Sequence, residues 1–242
     1  VIHAADRFVW QMAAQIDDGA VVATGVASPL AVLAIAVARE THAPRLTYLA
    51  CVGSLNPRVT RLHRSSEDLA YLDGRAGEIT IPDLFDHARR GRVDLIYFGA
   101  AQLDALGRTN LTAAGTLAAP TAKFPGVVGA CSLRRWCKRP IIIVPRQTRR
   151  ALVPSVAVRS TEDDRRTRVL TDLGQFSVGP GGAVLEAVAP HTSLDTIAAR
   201  TGFAFTIADA LEVIPDPAPD ERDVIAALDP DGLRFELVGA PS

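Results

Sequence analysis

Four features of this 242-residue sequence could do chemistry: one cysteine at a strand end, a run of carboxylates, a glycine loop and a basic cluster. Cys51 closes the apolar run Leu46–Cys51, just before Val52-Gly53. A thiol there reads as a small core residue, or as a nucleophile that would need a lowered pKa and a basic neighbour. No basic residue is adjacent to it in sequence. The nearest carboxylates, Glu67, Asp68 and Asp73, lie in a polar stretch from Asn56 to Glu78, and no Glu lies between Glu40 and Glu67. They could serve a reaction as acid or base, or serve none. Phe124-Pro125-Gly126-Val127-Val128-Gly129-Ala130-Cys131 is a glycine loop. Such a loop can aim backbone N–H groups at an oxyanion, because no Cβ blocks the approach, or it can simply turn a strand into a helix. Arg134, Arg135, Lys138 and Arg139 follow it, suiting either a phosphate-bearing ligand or a solvated helix face.

Several common sites are missing. The sequence has no Walker A motif, no GxGxxG, no GxSxG elbow and no HExxH. Cys131-x5-Cys137 is not a zinc spacing, so no metal site is expected. Gly179-Pro180-Gly181-Gly182 reads as a turn, since proline removes a donor and no basic residue follows.

The elements that must position these residues alternate. Phe8, Met12 and Ile16 recur at helical spacing. Ala20–Gly25 reads as a buried strand, and Ser28-Pro29 as an N-cap with proline at the first helical position. Leu30, Leu33, Ala34 and Val37 give that helix one apolar face. Leu46–Cys51 is a second strand, Ile81-Pro82-Asp83 opens a helix ending at Arg90-Gly91, and Val93–Ala100 is a third strand. Pro140–Val144, Val156–Arg159, Val169–Leu173 and Val184–Val188 read as further strands, and Ser193-Leu194-Asp195 opens a late helix. Strands separated by helices imply an α/β fold with a mostly parallel sheet and helices on both faces. One domain over 1–242 is expected, with 215–242 as a proline-bearing peripheral segment.

Composition narrows the class. The net charge of -1, from 26 basic and 27 acidic residues, lacks the basic footprint of a nucleic-acid binder. Three cysteines without paired spacing argue for a reducing compartment. The first residues lack the basic and apolar regions of a secretion signal. The longest apolar run, Pro29–Ala38, is shorter than the ~20 residues a membrane helix needs. A cytoplasmic protein without membrane or nucleic-acid partners is expected.

Four ordered segments resemble the β subunits of glutaconate-type and 3-oxoacid-type family I coenzyme A transferases. They are Thr24-Gly25-Val26-Ala27-Ser28-Pro29; Leu46-Thr47-Tyr48-Leu49-Ala50-Cys51-Val52-Gly53-Ser54-Leu55-Asn56-Pro57; Gly99–Asn110, similar to the family's Gly-Ala-x-Gln-x-Asp-x-x-Gly-Asn-x-Asn; and the loop Phe124–Cys131 with Lys138-Arg139-Pro140-Ile141-Ile142 after it. Val169–Phe176 and Thr201-Gly202-Phe203 extend the likeness, which spans about residues 20 to 207. The resemblance implies a three-layer fold like that of sugar-phosphate isomerases, an α subunit of the same fold as partner, and an acyl-CoA thioester as substrate, with no permanently bound cofactor. It places Gly126, Gly129 and Ala130 at an oxyanion loop. It places Gly25, Gly53, Asn56, Gln102, Asp104, Asn110 and Arg134 around substrate or CoA.

The resemblance breaks at the nucleophile. Family transferases attack the thioester with a Glu, giving a glutamyl-CoA intermediate. Anchored on Pro57, that Glu falls at Cys51, which cannot form it. Arg108 also stands where the family has Asn. CoA-thioester hydrolases and ring-cleaving hydrolases of the same fold likewise lack the Glu and take their acid from the partner subunit. Three readings follow: an enzyme subunit that transfers, hydrolyses or cleaves an acyl-CoA without a glutamyl intermediate here; a non-catalytic partner that completes an α subunit's site; or a small-molecule-binding domain needing no partner.

Overall fold

The computed structural model describes residues 2–238. It divides into two compact units, one holding the chain up to Tyr97 with Trp136–Pro140 and the residues from Asp216, the other holding Phe98–Arg135 and Ile141–Pro215.

The first unit opens with α1 (Ala4–Ala13), where the His3 ring accepts the Ala5 N–H. Phe8, Val9 and Met12 are buried on it, and Ile16 falls in the turn beyond. β1 (Val21–Ala23) leads to α2 (Pro29–Glu40), then β2 (Thr47–Ala50) and the short strands β3 (Ser54–Leu55) and β4 (Gly77–Glu78). α3 (Ile81–Arg89) and β5 (Leu95–Gly99) follow. β1 pairs in parallel with both β2 and β5, and β3 is antiparallel to β2 and β4. Every residue of α2 from Leu30 to Ala38 is buried, so the helix is covered on all sides rather than on the one apolar face that Leu30, Leu33, Ala34 and Val37 define. Pro29 stands at its start as the sequence implies, but Ser28 gives no side-chain cap; its hydroxyl donates to the Val26 carbonyl instead. α3 carries a full capping box between Thr80 and Asp83.

The second unit begins with two small hairpins, β6 (Gln102–Leu103) with β7 (Thr109–Asn110) and β8 (Ala113–Gly115) with β9 (Pro120–Lys123). α4 (Ala130–Trp136) leads into β10 (Arg139–Val144), which runs parallel to β11 (Thr167–Thr171). An antiparallel meander adds β12 (Gly174–Val178) and β13 (Ala183–Val188); α5 (Leu194–Arg200) then returns β14 (Phe205–Val213) parallel to β13. Leu103, Ile142, Val169, Phe176, Leu185 and Ile197 form its core. Gly179–Gly182 is the expected turn, closed by the Gly182 N–H on the Gly179 carbonyl. Gly174 is obligatory at the start of β12, because a Cβ there would lie 2.7 Å from the Ala187 carbonyl.

One expected strand is absent. Residues 156–159 form no ladder, because their amides go to side chains: Val156 N–H to Asp104 and Ala157 N–H to Gln102.

The chain then supplies α6 (Pro219–Leu228) and α7 (Leu233–Val238) to the first unit. Pro217 is buried while Pro215 and Pro219 are exposed. Ile225, Leu228, Leu233 and Val238 are buried, Arg7 pairs with Asp216 at 2.6 Å, and Arg234 bridges Asp6 (2.6 Å) and Asp229 (2.9 Å). Residues 239–242 of the expected C-terminal segment lie outside the described residues. The α/β class read from the sequence is the class adopted, with parallel pairing at β1, β2, β5, β10 and β11 and antiparallel strands added beside them. Among the described residues, no helix is long and apolar enough to cross a membrane.

Candidate active site

β1 and β2 end side by side because they are parallel and in register, Ala23 opposite Leu49. The Thr24 N–H adds one more bond, to the Leu49 carbonyl at 3.2 Å. Thr24-Gly25 and Cys51-Val52-Gly53 therefore leave the sheet together at the carboxyl ends of two parallel strands, where α/β folds form their ligand crevices. Gly53 makes the reversal into β3, with φ +102 and its N–H on the Ala50 carbonyl at 3.0 Å. Asn56 faces inward; its side-chain oxygen accepts from the Tyr48 N–H (2.7 Å) and from Arg39 (2.8 Å). It therefore braces β2 and α2 through that oxygen.

The Cys51 thiol donates to Glu67 Oε1 at 3.3 Å. That oxygen also accepts the Ser66 hydroxyl and the Ala27 N–H (3.1 Å), and the other carboxylate oxygen accepts the Ser65 hydroxyl (2.9 Å). Ala27 holds a left-handed φ of 54, which turns its amide toward the carboxylate. Ser66 is fully buried and its oxygen accepts the Ser28 N–H at 3.0 Å. Burial pushes the Glu67 carboxyl up, but the hydrogen bonds from Ser66, Ser65, Cys51 and Ala27 outweigh it and hold the group below the usual Glu range. Burial, then the bond to Glu67 and its negative charge, push the Cys51 thiol up to about 12, against a smaller opposing effect of the Thr24 hydroxyl. Tyr48, bonded to Thr24 at 3.0 Å, is raised by burial as well. Cys51 at neutral pH is thus a neutral thiol beside a carboxylate. It can donate a hydrogen bond; it is a poor nucleophile.

The other expected site residues lie in the second unit, and three of them are engaged in internal hydrogen bonds. Asp104 is 1% exposed and accepts from the side chain of Arg108 at 2.8 Å and from the amides of Leu106, Arg108 and Val156. Asn110 is fully buried, bonded to Gln102 (2.8 Å) and to the Ala113 carbonyl (2.7 Å). Arg134, 2% exposed, donates to Thr161 (3.0 Å) and to the Gly107 carbonyl (2.8 Å). These side chains hold loops together. Gln102, half-buried, uses its oxygen on Asn110 and Ala157. The basic cluster also disperses, since Lys138 pairs with Asp94 and Arg139 with Asp17, each at 2.7 Å. In the glycine loop the Gly126 N–H donates to the Leu111 carbonyl (2.8 Å) and the Ala130 N–H to the Val127 carbonyl (2.7 Å). Of the three expected oxyanion donors, Gly129 is the one whose amide is not engaged in this way. Val128 beside it is 70% exposed with φ 42, a strained conformation for a β-branched residue.

Sequence reasoning marked Glu67 only as one of three nearby carboxylates. Its contact with Cys51, and the support from Ser65, Ser66 and Ala27, depend on the path of an irregular segment. No periodicity reports that path.

A family model described as Coenzyme A transferase matches residues 9–200. The chain belongs to the coenzyme A transferase family. The structure of a protein described as the decarboxylase AibA/AibB is 60% identical, with a TM-score of 0.97, over 99% of this chain and 100% of that one. Further structures are of variants of that decarboxylase in which one cysteine is replaced by Asn, Val, Ala or Ser. A subunit of the 3-oxoadipate CoA-transferase of Pseudomonas knackmussii is 24% identical over 234 residues, covering 90% of this chain and 89% of the relative. The glutaconate coenzyme A-transferase of Acidaminococcus fermentans shares the fold at 20% identity, with a TM-score of 0.84 over 99% and 98% of the two chains.

Proposed function

We propose that this chain is one β-type subunit of a heteromeric enzyme acting on an acyl-CoA thioester, and that its reaction is decarboxylation. The observation that carries this reading is the neutral Cys51 thiol at the position of the family's nucleophilic Glu. A transferase needs a carboxylate there to take the acyl group. A decarboxylase does not. In that reaction the bond to the leaving carboxylate breaks, CO2 departs, and the electron pair flows to the thioester oxygen. The resulting oxyanion needs N–H donors held in place. The carbon then takes a proton, and no acyl-enzyme forms. The 60% identity to a decarboxylase supports the same reading.

The partner proposed is an α subunit of the same fold, in keeping with the two-part name of that relative. The substrate is the CoA ester itself, with no permanently bound cofactor, and the compartment proposed is the cytoplasm, where free thiols such as Cys51, Cys131 and Cys137 persist.

The test is to co-purify the chain with its partner and supply acyl-CoA esters that bear a second, free carboxylate. Release of CO2 with the CoA ester retained is the expected outcome. Transfer of CoA to an added acid, with no CO2, would return the chain to transferase chemistry.

A further inference from the structure

Resting on the acyl-CoA reading, we propose that Glu67 is a positioning residue that keeps the Cys51 side chain in its thiol form, so that sulfur lines the site without attacking the thioester. The geometry supplies both halves of this. The Cys51 thiol donates to Glu67 Oε1, with sulfur and oxygen 3.3 Å apart. The carboxylate is itself saturated by Ser66, Ser65 and the Ala27 amide, and Ser66 is anchored in turn by the Ser28 N–H. A carboxylate with that many donors is a weak base. It accepts the hydrogen bond without removing the proton, and its charge opposes a second negative charge on sulfur.

The groups facing the thiol are Glu67 from the polar segment, Thr24 from the end of β1 and Tyr48 from β2. Thr24 is a hydroxyl and burial keeps Tyr48 protonated, so Glu67 is the one charged group of the three. No cation offsets it among the influences on the thiol.

The step held off is thiol exchange. A Cys51 thiolate would attack the thioester carbonyl carbon and form a new S–C bond. The S–C bond to CoA would break, and CoA would leave as a thiolate and take a proton from water. The product, S-acyl-Cys51 plus free CoA, would stall a subunit that has no use for an acyl-enzyme. The opposite role for Glu67 is a general base that activates Cys51, and the two roles predict opposite signs.

The experiment measures alkylation of Cys51 by iodoacetamide against pH in the complex with its partner, with the site read by mass spectrometry. In the wild type the rate should be low at neutral pH and still rising near pH ~10, without a plateau. Glu67→Gln removes the charge, and the rate at about pH 8 should rise about tenfold or more. Glu67→Asp keeps the charge and should stay near wild type. Slower or unchanged alkylation in a folded Glu67→Gln complex would overturn the proposal, as would a wild-type plateau at neutral pH. That last measurement decides the matter even if Glu67→Gln fails to fold. Adding acyl-CoA to Glu67→Gln should then accumulate S-acyl-Cys51. Faster alkylation without S-acylation would support the positioning role and count against the acyl-CoA reading, because alkylation needs no substrate.

Discussion

The polar cluster around Asp104 and the polar pair Cys51–Glu67 both sit on loops beside strand ends, and they differ in what folding leaves over. Around Asp104 every donor finds an internal acceptor: Arg108 and three backbone amides converge on one carboxylate that is 1% exposed. Asn110 and Arg134 are held in a similar way, by Gln102 and Ala113 in one case and by Thr161 and Gly107 in the other, with the buried Arg134 Nε left without a partner. Such a network sets the course of the chain. The Cys51–Glu67 pair is only half-buried, carries a titratable proton, and rests on a backbone held in an unusual conformation at Ala27. Strain and partial exposure at a titratable pair are features common at functional sites.

Breaking the scaffold cluster should therefore cost stability first. Asp104→Ala leaves the Arg108 guanidinium and three amides without their acceptor, and should lower unfolding free energy by about 3–5 kcal/mol. Turnover per folded complex, and KM for the CoA ester, should stay close to wild type. Urea unfolding and steady-state kinetics on one preparation check this. A stable variant with a raised KM would return Asp104 to the substrate site and dissolve the contrast.

Breaking the other cluster should do less than its family position suggests. Cys51→Ser keeps a neutral hydrogen-bond donor beside Glu67, so turnover should change by less than about tenfold, or ~1.4 kcal/mol. Loss of nearly all activity in a folded complex would make Cys51 a nucleophile and sink both the neutral-thiol reading and the decarboxylase proposal.

The alternation of helix and strand was legible because burial leaves continuous apolar runs at β1, α2, β2 and β10 and an alternating pattern at β13. The segment Val156–Arg159 misled because it has the apolar, β-branched composition of a strand, while its amides are claimed by Asp104 and Gln102 from far along the chain. The same long-range bonding hid the roles of Asn110 and Arg134. Their types match a ligand-binding pattern, and only their burial shows that the partners are Gln102, Thr161 and Gly107. Cys51 was legible as the residue that falls where the family has its Glu, just beyond the strand β2. Its partner was not, because Glu67 arrives on an irregular stretch ahead of the turn of 3-10 helix at Leu69–Leu72.

A third carboxylate sharpens the contrast between served and underserved acids. Asp172, just after β11, accepts the Gln147 N–H at 2.7 Å. Burial dominates there and pushes its carboxyl up to about 6, while the Gln147 and Asp172 amides and the charges of Arg200 and Arg146 oppose this less strongly. A raised pKa in the folded state means that the native protein holds this proton more tightly than the unfolded chain does. Its favourable contribution is complete below the unfolded value near 4, falls as pH rises through about 6, and is gone above that. Asp172→Asn keeps an acceptor for the Gln147 amide and never ionises. The variant should match the wild type at about pH 4 and exceed it by roughly 1 kcal/mol at about pH 7.5, a figure reduced for partial solvent exposure. Paired urea titrations at the two pH values isolate this residue, because every other group titrates alike in both proteins. Equal stability at both would mean that Asp172 is solvated well enough to ionise freely. A variant less stable at the higher pH would mean that its charge is needed by Arg146 or Arg200, which would place it with Asp104 among the carboxylates that hold the chain together.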